Sequence, residues 1–105
     1  MQQLDEIGFP VVSIGELLAG FLGGVREAKS RSELSRFLAS SRIRVLNIDQ
    51  ETAEFYGGIV QALKRAGTPI PTKDVWIAAL AQRHGLPVYT NDVHFKVVPG
   101  LVLME

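Results

Sequence analysis

The chain has 105 residues, 47% of them apolar and 21% charged, the balance of one folded domain rather than a disordered tail. It contains no cysteine, which excludes a disulfide framework, a thiolate zinc site and a cysteine nucleophile. Eleven basic and eleven acidic residues cancel, no apolar run approaches the ~18–20 residues of a membrane span, and the N-terminus lacks a signal-peptide pattern. A soluble, cytoplasmic single domain with no membrane partner is expected.

Strand and helix signals alternate along the chain. Gln2 to Ile7 is helix-like. Val11-Val12-Ser13-Ile14, a β-branched run after Gly8-Phe9-Pro10, predicts a buried strand. Glu16 to Leu22 carries apolar residues at helical spacing and stops at Gly23-Gly24. Ser30-Arg31-Ser32-Glu33 has capping-box form ahead of Leu34, Phe37 and Leu38, which predicts a second helix. Residues 44–48 predict another strand. Asp49 then caps a helix whose Tyr56, Ile59, Val60 and Leu63 share one face and which ends at Gly67. Thr68-Pro69-Ile70-Pro71 excludes helix. Thr72 is expected to cap a helix to about His84-Gly85, with Trp76, Ile77, Leu80 and Ala81 on its buried side. Residues 86–90 and 101–104 predict two further short strands. This alternation implies an α/β domain with a short, mainly parallel sheet.

Charge is segregated along the chain. Residues 26–44 hold Arg26, Lys29, Arg31, Arg36, Arg42 and Arg44 against Glu27 and Glu33, a local net of +4 that the rest must offset. A solvated, salt-laced helix is the plainer account of that segment, and a basic face for a nucleic-acid backbone is the functional one.

In a parallel α/β sheet, helix N-termini lie along the same edge as strand carboxyl ends, where ligands bind. Three acids are expected there: Glu16 in the first turn after strand 11–14, Asp74 in the first turn after Thr72, and Asp92 just after strand 88–90. Each has an ordinary explanation as well. Ser13-x-x-Glu16 is a capping box, Asp74 suits a helix dipole, and Asp92 is a common turn residue. Together they make a plausible site for a hard cation, which takes carboxylate oxygens and keeps several waters.

These segments resemble a known family. Ser13-Ile14-Gly15-Glu16-Leu17-Leu18-Ala19-Gly20 is similar to the second acidic motif of PIN domains. Asp74-Val75-Trp76-Ile77-Ala78-Ala79 resembles the third motif, and Thr90-Asn91-Asp92-Val93-His94-Phe95 with Val98-Pro99-Gly100-Leu101 resembles the closing one. Order and spacing are most like the VapC-type toxin branch. The resemblance implies a three-layer α/β/α fold and Mg²⁺- or Mn²⁺-dependent endoribonuclease action as the toxin of a toxin–antitoxin pair. It further implies Glu16, Asp74 and Asp92 as metal ligands, with Thr90 and Asn91 supporting them. Arg26, Lys29, Arg31 and Arg36 would then hold the RNA backbone. An antitoxin would lie near the early helices, with Phe21 and Leu22 as anchors.

The family opens with a strand ending in an Asp-x-Asn-like motif, and Asp5-Glu6-Ile7-Gly8 does not match it. The resemblance therefore implies a domain truncated at the N-terminus, without the first metal-binding Asp, and hence weak metal binding and feeble cleavage. Strands 11–14 and 87–90 would flank the missing strand. They would either pair directly, in the order 45–48, 11–14, 87–90, 101–104, or recruit another chain, and a homo-oligomer is the favoured outcome. The alternative is a non-catalytic module that binds an antitoxin or itself, or a gene remnant. Other chemistries are weaker. His84 before Gly85 reads as a helix C-terminal cation, and His94 beside the site edge is weighed as structural. No base pairs with Ser40-Ser41, no P-loop occurs, and Trp76, Phe55 and Tyr56 read as core rather than base-stacking residues.

Overall fold

The structure, a computed structural model, describes residues 6–104. The helix-like segment expected from Gln2 falls outside the described residues as far as Asp5, and Ile7 itself opens a strand. Two compact units divide the chain, Met1–Asn47 and Ile48–Glu105.

In the first unit, strand β1 (Ile7–Pro10) is followed directly by helix α1 (Val11–Phe21). The strand expected at 11–14 is therefore a helical turn, and the strand lies four residues earlier. Pro10, at φ −64° and ψ 136°, ends the strand where its missing N–H costs the ladder least, and caps the helix. Val11, Ile14, Leu18 and Phe21 continue the helical spacing back to the proline, and β-branching costs a helix only a few tenths of a kcal/mol. Pro10 has no side chain that can cap, so the Ser13–Glu16 capping box does not form and Glu16 sits at mid-helix.

Gly23, at φ +78°, turns the chain beyond α1, and its N–H donates to Glu27 Oε1 at 3.0 Å. Helix α2 (Glu27–Leu38) consequently begins three residues ahead of the expected Ser30 cap, whose own N–H donates to the Arg26 carbonyl at 2.9 Å. Strand β2 (Ile43–Leu46) runs parallel to β1, with Ile7 opposite Ile43 and Pro10 opposite Leu46. Phe9 meets Phe37 edge to face at 5.3 Å.

In the second unit, helix α3 (Gln50–Ala66) starts and stops where its sequence predicts. Asp49 Oδ1 accepts from the Thr52 N–H at 2.8 Å and from the Thr52 hydroxyl at 2.7 Å. These bonds hold the Asp49 carboxyl below its ordinary pKa, with Arg83 adding a smaller pull. Gly67 ends the helix at φ +72°. Helix α4 (Thr72–His84) takes Pro71, not Thr72, as its N-cap, and Gly85 closes it at φ +66°.

The buried face of α4 is Asp74, Val75, Ala78, Ala79, Leu80 and Ala81. Trp76 and Ile77, expected there, are only half-buried, because Trp76 stacks on Tyr56 of α3 at 3.9 Å along the flank of the helix pair. Val75, Ala78 and Ala79 form the core with Ile59 and Leu63 of α3, and with Phe95 and Val98 from the loop beyond. Each large side chain buried this way contributes about 1.5–3 kcal/mol.

Strand β3 (Val88–Tyr89) pairs in parallel with β4 (Leu103–Met104). The described strands form two parallel pairs, β1 with β2 and β3 with β4, and the direct pairing through 11–14, one of the two outcomes considered, finds no strand there because that segment is helix. Between β3 and β4 lies a 3₁₀ turn, Val93–Val97.

Candidate metal centre

Asp74 is the third residue of α4. Its side chain is only 6% exposed, yet it carries a carboxylate where the helix dipole favours negative charge. Two prolines in the approach, Pro69 and Pro71, place the start of the helix, and Val75, Ala78 and Ala79 bury it.

Asp92 comes from the other wall. It caps the 3₁₀ turn, its Oδ1 accepting from the His94 N–H at 2.9 Å, while its own N–H donates to Thr90 Oγ1 at 2.9 Å. That pair of bonds fixes the carboxylate against its own backbone. It also brings the His94 side chain round to the acids. His94 Nδ1 lies 3.1 Å from Asp74 Oδ2 and 3.1 Å from Asp92 Oδ1. The donor atoms of all three residues lie within 4.8 Å of one another. Asp74 forms the buried floor, and Asp92 and His94, each nearly half exposed, form an open mouth.

Two of the three acids predicted from the sequence therefore meet. Glu16 is an exposed residue of α1, in the first unit. Thr90 Oγ1 accepts from the Asp92 backbone N–H, and Asn91 is exposed beside it. Arg26, Lys29, Arg31 and Arg36 are all exposed on or just before α2. Lys29 and Arg36, seven residues apart, share one side of that helix, and Arg31 stands away from them. His94 is the residue that sequence reasoning set aside. Val93, Phe95 and Val97 alternate with polar residues, a two-residue period that does not announce a helical turn. The available signal is Asp92 itself, since an Asp that caps a turn places the residue two further on against its carboxylate.

The PIN domain family model matches residues 1–101. The chain belongs to the PIN domain family. It is 33% identical over 96 residues to Ribonuclease VapC4 of Mycobacterium tuberculosis, covering 91% of this chain and 74% of that protein. Identity to the tRNA(fMet)-specific endonuclease VapC of Salmonella typhimurium is 32% over 91 residues, or 86% of this chain and 67% of that one. The crystal structure of DNA-bound VapBC from Salmonella typhimurium superposes with a TM-score of 0.84 at 30% identity, over 92% of this chain and 73% of that chain. The α/β fold with short parallel sheets expected from the sequence is thus that of the VapC-like PIN domains. Within this PIN domain, the Asp74–Asp92–His94 cluster falls on two of the family-like motifs, and its oxygen donors suit a divalent cation.

Proposed function

We propose that this PIN domain is a metal-dependent endoribonuclease, acting in the cytoplasm as the toxin of a toxin–antitoxin pair. The observation that carries this reading is the convergence of the buried Asp74 carboxylate and the backbone-fixed Asp92 carboxylate within 4.8 Å. Asp74 and Asp92 would hold a divalent ion, Mg²⁺ or Mn²⁺, which would supply a water of lowered pKa and offset negative charge at a reacting phosphate. Asp74 is carried on a helix that packs into the core through Val75, Ala78 and Ala79. Asp92, held by Thr90 and by the His94 N–H, completes a rigid pair of oxygen donors. Glu16 is assigned as a third acidic ligand on motif resemblance. Arg26, Lys29, Arg31 and Arg36 supply exposed cations for the RNA backbone, an attraction that weakens steeply with added salt.

Cleavage of RNA by the purified chain should require Mn²⁺ or Mg²⁺, stop with a chelator and return on adding the metal back. Persistence in chelator would overturn the metal-dependent reading. Absence of cleavage with either ion would leave the non-catalytic binding module in its place.

The partner part of the reading rests on the first unit. Helix α1 has no buried residue although it is almost wholly apolar, and Leu22 (62% exposed) and Val25 (104%) stand in the turn beyond it. Phe21 is half-buried, so Leu22 is the better anchor of the two expected from the sequence. Exposed apolar surface of this kind fits a protein partner, either the antitoxin or a second copy. Leu22→Ser should change stability by less than about 0.5 kcal/mol. It should nevertheless weaken the complex with a cognate antitoxin, measured by co-purification and titration. An unchanged complex would remove this surface from the proposal.

A further inference from the structure

We propose that His94 is itself a metal ligand, through Nδ1, and that this imidazole makes the site select Mn²⁺ over Mg²⁺. The inference rests on the metal-dependent reading above and adds to it the identity of a donor and the consequence for ion choice.

Nδ1 of His94 stands 3.1 Å from one oxygen of each aspartate. An octahedral ion with bonds of about 2.1 Å sets neighbouring donors about 3.0 Å apart. In the metal-free chain the Nδ1–Asp74 Oδ2 contact is a hydrogen bond, and both nitrogen–oxygen separations are close to those of adjacent corners of one coordination shell. The backbone that carries the imidazole is also held in place without a metal. Its N–H is tied to Asp92 Oδ1 at 2.9 Å, and the next residue, Phe95, is 5% exposed in the core. Only the ring's own rotamer freedom is left to lose when an ion arrives.

The donor chemistry then decides the ion. Carboxylate and water suit Mg²⁺ and Mn²⁺ alike, whereas imidazole suits first-row transition ions and gives Mg²⁺ little. An Asp74–Asp92–His94 shell is a mixed oxygen–nitrogen set. It gains more from Mn²⁺ than an all-carboxylate shell would. His94 is 46% exposed at the side chain, so replacing it does not open the core.

Pulsed electron paramagnetic resonance on the Mn²⁺ complex at fixed pH gives a readout independent of activity. The expected spectrum shows a nitrogen bonded directly to Mn²⁺, whose lines shift when histidine carries ¹⁵N. The chain has two histidines, so the signal should survive in His84→Gln and vanish in His94→Gln. Calorimetric titration of both ions should show His94→Gln lowering Mn²⁺ affinity about 10- to 100-fold, the range typical of disturbing a metal shell, with a much smaller change for Mg²⁺. His94→Asp, an all-oxygen set, should restore binding with the Mn²⁺ preference largely gone. Thermal melts establish that each variant is folded.

Bound Mn²⁺ without a nitrogen coupling, or a Mn²⁺-to-Mg²⁺ affinity ratio unchanged in His94→Gln, overturns the role of His94 and leaves the carboxylate site standing. Failure of the native chain to bind either ion overturns both together.

Discussion

Asp74→Asn should weaken Mn²⁺ binding by at least about tenfold and lower metal-dependent RNA cleavage by about 10²-fold or more. The substitution is nearly isosteric and sits in a side-chain site only 6% exposed, so packing against Val75 and Ala78 is retained. What changes is the charge. The Asp74 and Asp92 carboxylate oxygens lie within 4.8 Å of each other, and like charges that close repel. Removing the negative charge takes away the floor of the metal site and that repulsion together. The melting temperature in chelator should therefore hold or rise even as metal affinity falls. Opposite movement of stability and affinity distinguishes a ligand from a structural residue. Equal Mn²⁺ affinity in calorimetry for the native chain and Asp74→Asn would remove Asp74 from the site.

Phe95→Ala should be the most destabilising substitution near the site, at about 3–5 kcal/mol. For a domain of this size that lowers the melting temperature by roughly 12 °C or more. Phe95 is 5% exposed and joins Val75, Ala78, Ala79 and Val98 in the core, so truncation leaves a cavity beside α4. Its neighbours in the chain, Asp92 and His94, owe their position to this anchor, because the 3₁₀ turn is short and held by few bonds of its own. Mn²⁺ affinity measured well below the melting temperature should fall as well. Val93→Ala is the control. Val93 is 64% exposed in the same turn and should change stability by less than about 0.5 kcal/mol. A mild loss in Phe95→Ala, comparable to that of Val93→Ala, would show that the turn is held by its local hydrogen bonds alone.

The sequence by itself determined the helices whose signals are local and agree with one another. In α3, Asp49 supplies the cap, Ile59 and Leu63 the buried stripe, and Gly67 the left-handed stop, so start, face and end are all written within one segment. In α4 the stop at Gly85 was legible too, whereas the cap is Pro71 rather than Thr72 and Trp76 and Ile77 lie outside the fully buried face. The motifs around Asp74 and Asp92 were legible through their resemblance to the PIN family, since helix dipole and turn chemistry alone account for each acid without a site. Where local signals compete, the sequence left the outcome open. Val11-Val12 suits a strand by β-branching and a helix by spacing with Ile14 and Leu18. Pro10, whose extended backbone both closes the β1 ladder against β2 and caps α1, resolved that competition and moved Glu16 from the first turn to mid-helix.

Only the tertiary structure decided which groups meet in the candidate site. Asp74 and His94 are twenty residues apart, and nothing in either segment's pattern encodes a 3.1 Å approach between them. That distance exists because Phe95 and Val98 bury themselves against the same face of α4 that buries Asp74. Hydrophobic burial is non-directional and acts between segments wherever their apolar surfaces fit, so it leaves no periodic trace of its partner in the sequence. The imidazole joined the two carboxylates as a consequence of where the core drew the chain.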